Sequence, residues 1–212
     1  MFIIKDILLF LTKGKTSHEF SESNTNFLKN LYLIKVGFFL ILFLLNLLLF
    51  DLKIKGNIEG LNKQGFFIDS LNILLLAPIL EEILFRFHLN LKLKNIIFST
   101  IAACIFFYDH FWFLLVLILY FSILILINKR NKPSNDLIFV YISAFIFGIA
   151  HLAYRDLNLA YEDILSYIYI FTLRFFNALI YSYVFFKRGI YFSILLHFLW
   201  NFFPFLIDQL AN

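Results

Sequence analysis

Charge is what this sequence has least of. Only 15% of its 212 residues are Asp, Glu, Lys or Arg, while 62% are hydrophobic. A soluble domain carries about 25% charged and 45–50% apolar residues, so a water-facing surface of ordinary composition is excluded. Cysteine is nearly absent. Cys104 alone permits no intramolecular disulfide and leaves the compartment unread. Three prolines and seven glycines leave no linker and no low-complexity tail. The net charge of +4 is small, and the basic residues lie between apolar runs. They read as topology signals, and no nucleic-acid partner is expected. Period-2 alternation is missing too, which argues against a transmembrane barrel.

What the sequence does have is a series of long apolar runs. A bilayer core about 30 Å thick needs about 20 apolar helical residues. Residues 31–50, 66–87, 137–154, 164–186 and 190–207 meet or approach that length. The run 96–127 is too long for one span and is broken only by Asp109 and His110. A helical hairpin turning near Asp109 is therefore predicted. The expected fold class is an all-α, polytopic membrane helix bundle of about seven transmembrane helices plus an N-terminal interfacial helix. The apolar start, residues 1–11, is interrupted by Lys5 and Asp6 and lacks a small-residue cleavage site. It reads as the interfacial helix rather than a signal peptide. The expected organisation is an interfacial and polar segment at 1–30 and a transmembrane core at 31–212.

Charge between the runs orients the bundle. A cytoplasmic N-terminus puts Lys5, Lys13, Lys15, Lys29, Lys92, Lys94, Lys129, Arg130, Lys132, Lys187 and Arg188 inside. Lys53, Lys55, Lys63 and Arg155 fall outside, which satisfies the positive-inside rule. The bilayer is the first expected partner. The small size and the Phe-, Ile-, Lys- and Asn-rich composition lead us to expect a bacterial plasma membrane.

Ionisable groups inside a span are costly, and they mark a protein interior or a wet cavity. The second span holds Glu81-Glu82-Ile83-Leu84-Phe85-Arg86. Glu82 and Arg86, four apart, share a helix face and can pair. Glu81 lies about 100° round the helix and is free to act as a base. Pro78 cannot donate to the Leu74 carbonyl and should bend or loosen the helix. The fifth span holds Phe147-Gly148-Ile149-Ala150-His151, and the last holds His197-Phe198-Leu199-Trp200-Asn201. His197 and Asn201 share a face and can aim two donors at one point, as an oxyanion requires. The bland alternatives are a Glu–Arg clamp, a core histidine and interhelical polar glue. Arg174 and Asn177 lie in the sixth span, and a partner within the bundle is expected for Arg174.

For these groups to meet, their depths must agree. At ~1.5 Å per residue, His151 lies ~21 Å from residue 137. Glu81 reaches ~20 Å only if its helix runs on to Lys94, against ~9 Å if it stops at Phe87. The long helix is expected, since 88–94 holds no breaker.

The ordered set EExxxR, FxxxH and HxxxN, each on an apolar run, resembles the CPBP family of membrane proteases. That family includes type II CAAX prenyl endopeptidases and bacterial bacteriocin-processing or self-immunity proteins. The match covers residues 78–201, and Lys187-Arg188-Gly189 resembles the family's entry into its last motif. The resemblance implies that Glu81 activates water with help from His151. It implies an oxyanion hole from His197 and Asn201, with Glu82, Arg86 and Phe147 organising the site. No metal or other cofactor is implied. The hairpin and the basic loop 128–135 depart from the family pattern, where a shorter connection is expected. The expected partner is a peptide or protein segment entering from the membrane–cytoplasm boundary.

Three rivals remain open. A zinc protease would use His151, His197 and a glutamate as ligands, although no HExxH segment is present. A non-catalytic immunity or scaffold protein would keep the pocket for binding. A transporter would use Arg174 and the glutamates, but no inverted repeat supports it.

Overall fold

Backbone N–H and C=O groups in hydrocarbon find no water, so each must be bonded within the protein. The computed structural model answers this demand with helices, and it describes residues 2–16, 22–49, 66–129, 136–153 and 161–211. Among these residues no strand occurs, and the protein is an all-α membrane helix bundle. Residues 50–65, 130–135 and 154–160, which carry much of the topology reading, lie outside the described residues.

Helix α1 (Phe2–Lys13) buries Ile3, Asp6, Ile7 and Phe10 along one face, while Ile4 and Leu8 are exposed. Asp6 accepts a hydrogen bond from the Tyr183 hydroxyl at 2.7 Å and pairs with Lys187 at 3.0 Å. Helix α2 (Asn24–Leu49) starts seven residues before the expected span. Helix α3 (Phe66–Ser70) passes through a π-helical stretch (Leu71–Leu76) into α4 (Ala77–Phe85). The predicted hairpin is formed by α5 (Leu93–Phe106) and α6 (Phe111–Lys129), and its turn contains Asp109. Helices α7 (Asp136–Ala153), α8 (Tyr161–Arg188) and α9 (Ile190–Ala211) complete the described bundle.

Of the seven expected spans, α2, α6, α8 and α9 are long and apolar enough to cross a membrane. Helices α5 and α7 are apolar but shorter, and α3–α4 is a composite helix. Two glycines set close geometry. Gly189 (φ +89°) is the single residue between α8 and α9, a conformation that strains other residues. Gly148 sits under Phe171 of α8, whose ring carbons would lie 2.7 Å from an added Cβ. The glycine lets α7 and α8 approach just before His151.

The continuation of the second helix to Lys94 is overturned. Helix α4 ends at Phe85, Arg86 leaves helical geometry (φ −124°), and Phe87–Asn90 form a 3-10 turn. Leu91 then adopts the left-handed conformation (φ 56°). The cause lies in distant residues. Ser99 of α5 donates to the Ile83 carbonyl at 2.6 Å, and Ser143 of α7 donates to that of Phe85 at 2.5 Å. His88 bonds back to the Leu84 carbonyl at 3.0 Å. The last carbonyls are thus satisfied without another helical turn. The end is buried in protein, with Leu84, Phe85, Arg86, His88 and Leu89 at 0–2% exposure. An intramembrane helix can stop there, so for α4, unlike a helix that spans the membrane, distance from the helix end does not measure depth.

Candidate active site

The two acidic neighbours of α4 face different partners. Glu82 is fully buried. It accepts from Ser193 Oγ at 2.5 Å and bonds His197 Nδ1 at 2.9 Å, with Arg86 Nε at 3.5 Å. Arg86 stacks its guanidinium over Phe147 (4.4 Å to the ring centre) and reaches Tyr181 (5.3 Å). A cation on an aromatic face gains attraction where water is excluded. Ser193, His197 and Asn201 stand at i, i+4 and i+8 on α9, so one face of that helix supplies all three polar groups.

Glu81 turns the other way. Its side chain is 13% exposed, and Oε2 has no hydrogen-bond partner. That oxygen lies 3.7 Å from His197 Nε2 and 4.0 Å from His151 Nε2. The position of one proton on each ring follows from the partner of Nδ1. His151 Nδ1 meets the Phe147 carbonyl at 2.9 Å and His197 Nδ1 meets the Glu82 carboxylate. Both acceptors require a proton on Nδ1, so each imidazole presents Nε2 towards Glu81. Phe147 packs against His151 with ring centres 4.5 Å apart. A cavity of about 470 Å³ opens beside this cluster, and its lining includes Glu81, His151, Phe85, Ile105, Phe106 and Phe107.

Asn201 is held differently. Its Nδ2 donates to the Ile73 carbonyl at 3.2 Å. In the π stretch each carbonyl bonds five residues on, as Asn72 does with the Ala77 N–H. The partner of Ile73 would be residue 78, which is a proline without an N–H. The expected loosening at Pro78 is therefore present, and Asn201 covers the Ile73 carbonyl. One amide hydrogen of Asn201 remains for another acceptor.

The structure thus brings Glu81, Glu82, Arg86, Phe147, His151 and His197 into one cluster, with Asn201 one turn beyond His197 on α9. Several residues beside it escape a reading by motif. Lys35 of α2 is fully buried, bonds the Tyr181 hydroxyl at 2.5 Å and lies over the Tyr181 and Trp200 rings. Tyr181 in turn stacks on His197 with ring centres 4.6 Å apart. A lysine inside the first span was the available signal. The partner expected for Arg174 is not found: among the described residues it forms no ion pair or hydrogen bond. Among them, too, no three His, Cys, Asp or Glu side chains are grouped as a metal site.

A membrane helix bundle whose buried carboxylates and imidazoles meet beside a cavity defines a class of intramembrane site suited to acid–base chemistry. The family model described as type II CAAX prenyl endopeptidase Rce1-like matches residues 63–203, about two thirds of the chain. The chain belongs to this family and is an integral membrane protein. No curated protein and no solved structure matches it significantly.

Proposed function

We propose that the protein is a membrane-embedded endopeptidase of glutamic type, hydrolysing a peptide bond of a membrane-associated peptide or protein. One observation carries this reading: two imidazoles direct Nε2 at a Glu81 oxygen that has no hydrogen bond, at 3.7 and 4.0 Å. A water between Glu81 and His151, about 2.8 Å from each, would donate one hydrogen to each acceptor and turn its lone pair to the substrate carbonyl. Glu81 takes the proton as the C–O bond forms. His197, with protons on both nitrogens, donates from Nδ1 to Glu82 and from Nε2 to the oxyanion. The free amide hydrogen of Asn201 is the second oxyanion donor. Collapse breaks the C–N bond, and the proton held by Glu81 passes to the leaving amine. Glu82, Arg86 and Phe147 organise these groups. In this reading the carboxylate supplies the base, and no metal is required.

The test uses full-length protein in liposomes and a prenylated CAAX peptide, with appearance of a new amino terminus as the readout. Wild-type protein should cleave, Glu81→Gln should nearly stop, and chelation should change nothing. Cleavage by Glu81→Gln at the wild-type rate would remove Glu81 as base. Loss on chelation, restored by zinc, would put the metal reading first. Folded protein that cleaves neither this nor other membrane peptides would favour a binding role.

The orientation is part of the proposal: the N-terminus and residues 128–135 face the cytoplasm, and residues 155–163 face away. Single cysteines introduced into each of these two segments of a Cys104→Ser background should label from opposite sides. Labelling of both segments from one side would overturn it.

A further inference from the structure

We infer that Arg174 and Asn177 of α8 form the subsite that holds the free carboxylate end of the peptide substrate. The inference rests on the endopeptidase reading and adds to it a specificity-determining pair.

Arg174, Asn177 and Tyr181 stand at i, i+3 and i+7, within about 60° of one another round the helix, so they line one face of α8. Tyr181 is the residue that stacks on His197, which places the strip next to the reacting groups. Arg174 is partly buried and has no ionic or hydrogen-bonding partner among the described residues. It nevertheless lies close enough to Glu81 and His151 for its charge to act on both. Asn177 is 2% exposed, and both polar atoms of its side chain lack a partner. An unmatched guanidinium in an apolar span is costly, and a buried amide without partners adds to that cost. A ligand carrying an anion and peptide groups removes both defects. Guanidinium binds carboxylate through two parallel hydrogen bonds, and a side-chain amide offers the donor and acceptor that a peptide group matches.

Depth identifies the source of the anion. Arg174 lies ten residues from Ile164 and fourteen from Arg188, the ends of the candidate span. At ~1.5 Å per residue that is ~15 and ~21 Å from either end. Lipid phosphates stay at the interface, whereas a peptide drawn to Glu81 carries its terminus inward.

The test measures binding and cleavage side by side. The probes are a fluorescent prenylated CAAX peptide with a free terminal carboxylate and the same peptide ending in a carboxamide. Full-length protein is used in liposomes with and without anionic lipid. Wild-type protein should bind the carboxylate form about 10- to 100-fold more tightly, the range expected for a charge-assisted hydrogen bond. Arg174→Gln should erase that preference, Arg174→Lys should restore part of it, and Asn177→Leu should weaken both peptides. The carboxamide probe changes nothing in the protein, so the comparison stands even if a variant folds poorly. Equal binding of the two peptides by wild-type protein, or no binding of either, would overturn the inference. So would a preference abolished by anionic lipid, which would assign Arg174 to phosphate. Carboxylate-dependent binding without cleavage would retain the subsite and sink the endopeptidase reading. Cleavage of both peptides at equal rates would do the reverse.

Discussion

On one side of α4, Glu82 is fully buried and is met by Ser193, His197 and Arg86 within 3.5 Å. One residue earlier, Glu81 is partly exposed, leaves Oε2 without a hydrogen bond and borders the cavity. The same side chain thus sits in two settings a single helical step apart. A buried carboxylate with a full set of partners is held in place and spends its acceptor capacity on protein groups. A carboxylate with a vacant oxygen beside a cavity can exchange protons with a ligand. His197 links the two regions, with Nδ1 on Glu82 and Nε2 towards Glu81. The paired region therefore sets the orientation of a group belonging to the open one.

The largest expected effect breaks this comparison on its open side. Glu81→Gln keeps the shape and removes the base, so turnover should fall by about 10²–10⁴. Thermal stability in detergent should hardly move, because Oε2 has no hydrogen bond to lose. Glu82→Gln should behave in the opposite sense. It leaves Arg86 buried beside a neutral side chain, and breaking a buried pair costs about 3–5 kcal/mol. A fall in the unfolding midpoint and in yield of folded protein is expected, with a smaller loss of rate per folded molecule. Thermal denaturation and single-turnover cleavage on the same preparations check both. If the two variants lose stability and rate in the same proportion, the division between the regions fails.

How much of this could be read beforehand depended on where the determining residues lie. The apolar runs and the hairpin at Asp109 are local signals, and the helices follow them. The pairing of Glu82 with Arg86 needs only four-residue spacing, and it is present at 3.5 Å. The early end of α4 had no local sign, because Ser99 and Ser143, which take up its carbonyls, are supplied by α5 and α7. Lys35 and Tyr181 were silent for the same reason: their contact joins positions 146 residues apart. Ser193 was nearer to legible, since it continues the four-residue spacing of His197 and Asn201. Arg174 shows the limit of reasoning from cost alone. An intramembrane arginine predicts a partner, and among the described residues the protein does not supply one.

Asn201 gives the finest division between the two kinds of region, because it belongs to both. Its amide covers the Ile73 carbonyl that Pro78 leaves without a donor, and its other hydrogen is free to serve an oxyanion. Asn201→Ala removes both services, so the single variant cannot tell them apart. Losing one oxyanion donor costs about 10²–10³ in rate, while leaving a buried carbonyl unpaired costs about 1–3 kcal/mol of stability. Pro78→Ala restores an N–H at position 78, which can satisfy Ile73 in π geometry or Leu74 in α geometry. The double variant Pro78→Ala with Asn201→Ala then has its backbone repaired and still lacks the donor. Compared with Pro78→Ala alone, it should keep its thermal stability and remain about 10²–10³ slower in single-turnover cleavage. Recovery of the Pro78→Ala rate in the double variant would make Asn201 a helix brace and leave the oxyanion to His197 alone.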